Sequence, residues 1–112
     1  MPETFAMDRV DRLADILYGV ASGEGLIGYA PLGRRLGVQP NHLGHFLEQV
    51  STRAKERDEP LWSALVVSKG SGQPSDGFYV LARRLRAEYA GLDERSVWEA
   101  ERRRCYDAAR SA

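Results

Sequence analysis

The chain has 112 residues, 43% of them hydrophobic and 29% charged, which suits one domain with its own core and excludes a disordered chain. Sixteen basic residues balance sixteen acidic ones, so overall charge names no partner, and the lone Cys105 excludes an intramolecular disulfide framework and points to a reducing compartment. No apolar run approaches the roughly 18 residues of a membrane span, and Met1–Thr4 lacks the basic and apolar regions of a secretory signal. The expectation is a cytoplasmic protein with no membrane partner. Charge is nonetheless segregated along the chain: residues 1–24 carry −3, 34–57 carry +3, 58–77 carry −2 and 83–110 carry +2. Arginine supplies most of the positive charge, and its planar fork suits phosphate and carboxylate alike.

The first helix spans residues 5–21, where Met7, Val10, Ala14, Leu17 and Ala21 recur at three- and four-residue steps. Ser22-Gly23-Glu24-Gly25 stops it. After the apolar piece Leu26–Tyr29, Pro31 opens a short second helix that Gly37 is placed to cap. Pro40 then starts a third helix with Leu43, Phe46, Leu47, Val50 and Ala54 on one stripe. Two short helices joined by Gly37-Val38-Gln39 make a helix-turn-helix pattern. At 100° per residue, His42, His45, Gln49 and Arg53 fall within about 80° of one another on the face away from that stripe. Gly44 also lies towards that face, where a missing side chain allows another surface to approach closely.

Leu61–Val67 is short, apolar and partly β-branched, the pattern of a buried strand. Residues 69–77 form a Gly-, Ser- and Pro-rich turn, and Phe78-Tyr79-Val80 returns as a second strand to complete a hairpin. Leu81–Tyr89 is helical and ends at Gly91. Asp93 caps a last helix running to about Arg110. Its apolar side (Val97, Trp98, Cys105, Ala108, Ala109) is thin, so it leans on the domain or on a partner rather than forming the centre. The expected fold is therefore α+β and mostly helical: a winged helix-turn-helix over residues 1–91, with a short β-hairpin wing and an extra C-terminal helix over 92–112. Its core is Leu13, Leu17, Leu36, Leu43, Phe46, Leu47, Val50, Leu65, Val67, Leu81 and Leu85.

The run from Gly23 through Leu32, then Leu36-Gly37, resembles the "G-E … S-Y-x-x-L-A … G" stretch in the DNA-binding domain of O6-alkylguanine alkyltransferases and alkyltransferase-like proteins. His42-Leu43-Gly44 falls where that family has the "A-V-G" segment of its recognition helix. Pro60–Val67 with Ser68 and Gly70 resembles its "P-C-H-R-V-V-x-S-x-G" strand, and Phe78–Tyr89 the helix after the wing. The likeness covers about residues 4–91. It implies a DNA-binding winged helix in which Tyr29 matches the tyrosine that presses on a flipped nucleotide's phosphate. The departures imply loss of alkyl transfer. The acceptor cysteine falls near Trp62 or Ser63, its histidine and arginine followers are missing, and the arginine finger falls at Asn41. Alkyltransferase-like proteins carry tryptophan at the acceptor position, which invites comparison with Trp62.

His42 and His45 stand one turn apart, but no third ligand has metal spacing, and residues 70–77 match neither a Walker motif nor a dinucleotide fingerprint. No metal, no cofactor and no catalytic set is expected. Two functions compete. In the first, the chain is a non-catalytic nucleic-acid-binding module: helix 41–55 enters a groove, loop 69–77 is the wing, and Tyr29, Arg34, Arg35, Asn41, His42, His45, Gln49, Arg53 and Lys69 contact DNA. In the second, it is a small protein-interaction module of immunity, antitoxin or phage-inhibitor type. That module binds a partner through Trp98, Arg102, Arg103 and Tyr106 on the C-terminal helix, with a homodimer left open.

Overall fold

A computed structural model describes residues 5–111, with side chains from residue 9 onward. The opening Met1–Thr4 and the Met7 side chain of the first apolar stripe lie outside the described residues. Described elements run in the order α1 (Phe5–Ser22), β1 (Ile27–Gly28), α2 (Tyr29–Leu36), α3 (Leu43–Glu56), β2 (Val66–Val67), α4 (Asp76–Leu85) and α5 (Glu94–Ser111), with 3₁₀ turns at Pro40–His42, Trp62–Leu65 and Ala87–Tyr89. The fold is α+β and mostly helical.

Helix α1 forms because its apolar residues share one face. Leu13 and Leu17 are fully buried between α3 and α5, while Asp11 and Asp15 face outward. Helix α2 ends where the sequence places its stop. Gly37 adopts a left-handed φ of +80°, and its N–H and that of Val38 bond to the Gly33 carbonyl at 2.7 and 3.0 Å. The chain then turns back so tightly that a Cβ on Gly33 would stand 2.7 Å from the Val38 carbonyl oxygen. Only Gly37-Val38-Gln39 separates α2 from the 3₁₀ turn that leads into α3.

The hairpin wing is absent among the described residues, which corrects the reading of residues 61–80. Leu61–Leu65 is buried on every side, and a continuous apolar run does not distinguish strand from helix by periodicity. Trp62–Leu65 forms a 3₁₀ turn, and only Val66–Val67 is extended. That strand pairs in parallel with β1, Ile27 against Val66 and Gly28 against Val67, with α2 and α3 as the crossover a parallel pair requires. Residues 78–80 lie inside α4, because Phe78, Leu81, Ala82 and Leu85 repeat at helical spacing behind the extended N-cap Ser75. The glycine-rich segment closes on itself instead: Gly72 N–H donates to the Ser68 carbonyl and Ser68 N–H to the Gln73 carbonyl, both at 2.8 Å.

The core gathers Leu13, Leu17, Leu32, Leu36, Leu43, Leu47, Val50, Leu61, Leu65 and Val66 with Phe78, Ala82 and Val97. Phe46, Val67 and Leu85, expected inside, are half-buried at its margin. The seam of α3 is narrower than its apolar residues suggest, and Phe46 sits beside it with its ring edge to His45.

Helix α5 is no appendage. Asp93 caps it, accepting the Ser96 N–H at 3.0 Å. Val97, Glu101 and Cys105, spaced four apart, are fully buried against α1 and the 61–65 segment. The fully buried Glu101 carboxylate accepts the Leu61 N–H (2.7 Å), the Arg86 Nε–H (2.8 Å) and Nη2–H (3.1 Å), and the Tyr89 hydroxyl (2.5 Å). A buried charge is tolerable when it is paired and its lone pairs are filled, and here both conditions hold.

Candidate nucleic-acid interface and adjoining pocket

Asn41 and His42 project from the 3₁₀ turn, and His45 and Gln49 from α3; all four are exposed, as is Gly44 among them. Arg34 and Arg35 are exposed in the last turn of α2, and Lys69 is exposed in the turn after β2. These three cations make no ion pair with a described residue. Glu48 shares the outer face of α3 and pairs with Arg84 of α4 at 3.0 Å.

Arg53 does not belong with them. Its side chain is only 17% exposed and its guanidinium meets Asp11 of α1 at 2.6 Å. The sequence places Arg53 on the outward arc of α3, but that arc curves towards α1 at its C-terminal end, and Asp11 captures it there. Arg53 fastens α3 to α1.

The residues assigned to a partner face on α5 divide similarly. Trp98 donates its indole N–H to the Ala64 carbonyl at 3.0 Å, Arg102 lies over the Trp98 ring at 4.3 Å, and Tyr106 donates to the Gly25 carbonyl at 2.9 Å. These contacts turn both aromatic side chains inward, and burial pushes the Tyr106 phenol up. Arg103 alone of the four is exposed.

Beside the outer face of α3 lies a pocket of about 420 Å³ that the sequence reading did not anticipate. Its walls come from Gly44 and Leu47 of α3 and from Gly77 and Phe78 of α4, with Ser63 and Tyr29 contributing hydroxyl-bearing side chains. A Cβ at Gly44 would meet no atom within 4 Å, so the missing side chain leaves open space on this side of α3. The Tyr29 hydroxyl and Ser75 Oγ share a hydrogen bond of 2.9 Å from α2 to the α4 N-cap. The Ser63 and Ser51 hydroxyls share another, buried, of 2.7 Å. The Glu48–Arg84 ion pair also lines it. Apolar walls with a few fixed polar groups characterise small-ligand sites, and the volume lies within their usual range of about 300–1,000 Å³. The signal in the sequence was Gly44, a glycine inside the third helix, whereas Gly77 falls in the segment read as a turn.

Cys105 is fully buried and donates to the Leu61 carbonyl at 3.6 Å; burial, and then the charge of Glu101, push its thiol well above the ordinary range. Among the described residues no three His, Cys, Asp or Glu side chains gather as metal ligands, and no helix is long and apolar enough to cross a membrane. No family model, no curated protein and no solved structure matches this chain.

Proposed function

We propose that this chain is a non-catalytic nucleic-acid-binding module that presents α3 to a duplex and receives an unstacked base in the neighbouring pocket. The observation that carries the proposal is the α2–α3 pair. A three-residue connector joins α2 to the 3₁₀ turn that leads into α3, that turn bears Asn41 and His42, the outward face of α3 bears His45 and Gln49, and Arg34 and Arg35 close α2. Asn and Gln can pair with adenine edges, and the arginines and Lys69 can neutralise phosphates. The likeness to alkyltransferases supports a base in the pocket and Tyr29 at its phosphate. The burial of Cys105 supports binding without alkyl transfer. A partner face on α5 has less support, because Trp98 and Tyr106 hydrogen-bond back to the body of the protein.

The test is fluorescence anisotropy on a labelled duplex across salt, with 2-aminopurine in the strand to report unstacking. Three phosphate contacts give a slope of log K against log salt near −2.7, at about 0.9 per contact. Replacing Arg34 and Arg35 with serine reduces its magnitude by roughly two. Gly44→Leu adds bulk at the pocket wall from a Cβ position with no atom within 4 Å, and abolishes the rise in 2-aminopurine emission while leaving the salt slope intact. No binding at low salt refutes the module, and binding with no emission change refutes the pocket's part in it.

A further inference from the structure

The segment that bears Ser63 is a single 3₁₀ turn, Trp62–Leu65. The Ala64 N–H reaches the Leu61 carbonyl and the Val66 N–H the Ser63 carbonyl, and side chains from outside the segment anchor it further. Four donor–acceptor contacts from side chains that do not line the pocket hold this stretch of backbone. The Leu61 N–H donates to Glu101, the Leu61 carbonyl accepts from Cys105, the Ala64 carbonyl accepts from the Trp98 indole, and the Glu59 carbonyl accepts from Arg86 at 3.2 Å. Three of these four side chains stand on α5, at steps of three and four residues along a single face. Ser63 bonds to the buried Ser51 of α3 through its hydroxyl at 2.7 Å and its N–H at 3.4 Å, and its carbonyl accepts the Val66 N–H. The 3₁₀ segment is thus suspended between α5 and Ser51, with its Ser63 side chain at the pocket.

We infer that α5 is the positioning element of this pocket: Trp98 and Glu101 set where Ser63 stands and thereby how a base is seated. The inference rests on the reading of the pocket as a base site. It also assigns a role to the C-terminal helix, which lies outside the stretch that resembles alkyltransferases. Trp98 is the decisive residue, because its indole holds the carbonyl next to Ser63 and its half-buried ring makes it the gentler of the two to change. Loss of one such hydrogen bond shifts a local equilibrium about three- to fivefold.

The experiment uses the full chain with Trp98→Phe, which keeps an aromatic ring and removes the N–H. Arg102→Ala is the control: it removes the stacked guanidinium and keeps the indole bond. In the free protein, amide exchange at Ser63 quickens about three- to fivefold in Trp98→Phe, while Leu13 and Leu17 in α1 keep their protection. With the 2-aminopurine duplex at saturation, the emission rise falls by a similar factor, while duplex affinity by anisotropy stays within about twofold. Arg102→Ala leaves both readouts at wild-type values. A folded Trp98→Phe protein with unchanged Ser63 exchange or an unchanged emission rise overturns the inference, as does an Arg102→Ala effect of equal size. Wild-type protein that gives no emission rise overturns the base-site reading together with this inference, an outcome already separated by the unsubstituted chain.

Discussion

The same substitution in two helices should move stability in opposite directions. Gly33→Ala puts a methyl group 2.7 Å from the Val38 carbonyl oxygen, inside any tolerable contact. The oxygen belongs to backbone, and the turn that carries it is pinned because the Val38 N–H is itself bonded to the Gly33 carbonyl. Overpacking of this kind costs about 1–3 kcal/mol, against a helix gain from Gly to Ala of roughly 0.5–1 kcal/mol. The net is a loss of about 1–2 kcal/mol. Gly44→Ala meets nothing within 4 Å and retains only the favourable part, about 0.5–1 kcal/mol at most near a helix start. For a chain of this length, 1 kcal/mol corresponds to roughly 3–6 °C in Tm. Circular-dichroism melts and urea titrations should place Gly44→Ala a few degrees above wild type and Gly33→Ala about 3–12 °C below it. A Gly33→Ala protein as stable as Gly44→Ala would refute the claim that the α2–α3 turn closes through that glycine.

Removing the acceptor at Glu101 leaves Arg86, the Leu61 N–H and the Tyr89 hydroxyl buried without it. Glu101→Ala should therefore cost about 3–5 kcal/mol, read as a collapse of the urea midpoint; a loss below ~1 kcal/mol would show that the hub is dispensable. Stability should also fall at alkaline pH. Burial, then the charge of Glu101, raise the Cys105 thiol, and burial, then its hydrogen bond to Glu101, raise the Tyr89 phenol. Groups raised in the folded state contribute fully below their unfolded values, and that contribution is lost as pH rises above them. The decline should begin near pH 8.5 for the thiol and steepen near pH 10 for the phenol, by up to about 1.4 kcal/mol per unit for each group. Urea titrations at successive pH values should show the first step vanish in Cys105→Ala, and its persistence there would contradict the assignment.

The elements that the sequence revealed are those whose signals are local. The stop at Gly37 needs one left-handed residue, the cap at Asp93 one carboxylate, and α1 a periodic stripe, and each can be read without knowing its neighbours. Residues 61–67 resisted because burial on all sides erases periodicity, and the choice between turn and strand fell to tertiary partners. Phe78–Val80 resisted because three aromatic and branched residues suit a strand, while the helical repeat that overrides them appears only when Leu81, Ala82 and Leu85 are counted in the same element. The seam of α5 was hidden because its central member is charged. A glutamate between Val97 and Cys105 marks a solvated face unless Arg86 and Tyr89 are known to meet it. At the candidate site, the exposed polar residues of α3 were legible from the helical arc, and the pocket was not, since four separate segments build it.

Ion pairing decides how much of the segregated charge in the sequence reaches the surface as a field. Arg53, Arg84, Arg95, Arg104 and Arg110 are matched with Asp11, Glu48, Glu99, Glu88 and Glu24. Exposed pairs of this kind add little stability, yet each cancels a cation that a phosphate backbone would otherwise attract. Within residues 34–57, the pairs of Arg53 with Asp11 and of Glu48 with Arg84 remove one charge of each sign, so Arg34 and Arg35 at the end of α2 and Lys55 and Arg57 at the end of α3 stay exposed without an ion pair to a described residue. On the proposed reading, these unpaired cations set the share of affinity drawn from counterion release. On the same reading, Asn41 and Gln49 supply direct readout of base edges, and the pocket between α3 and α4 adds selection by shape.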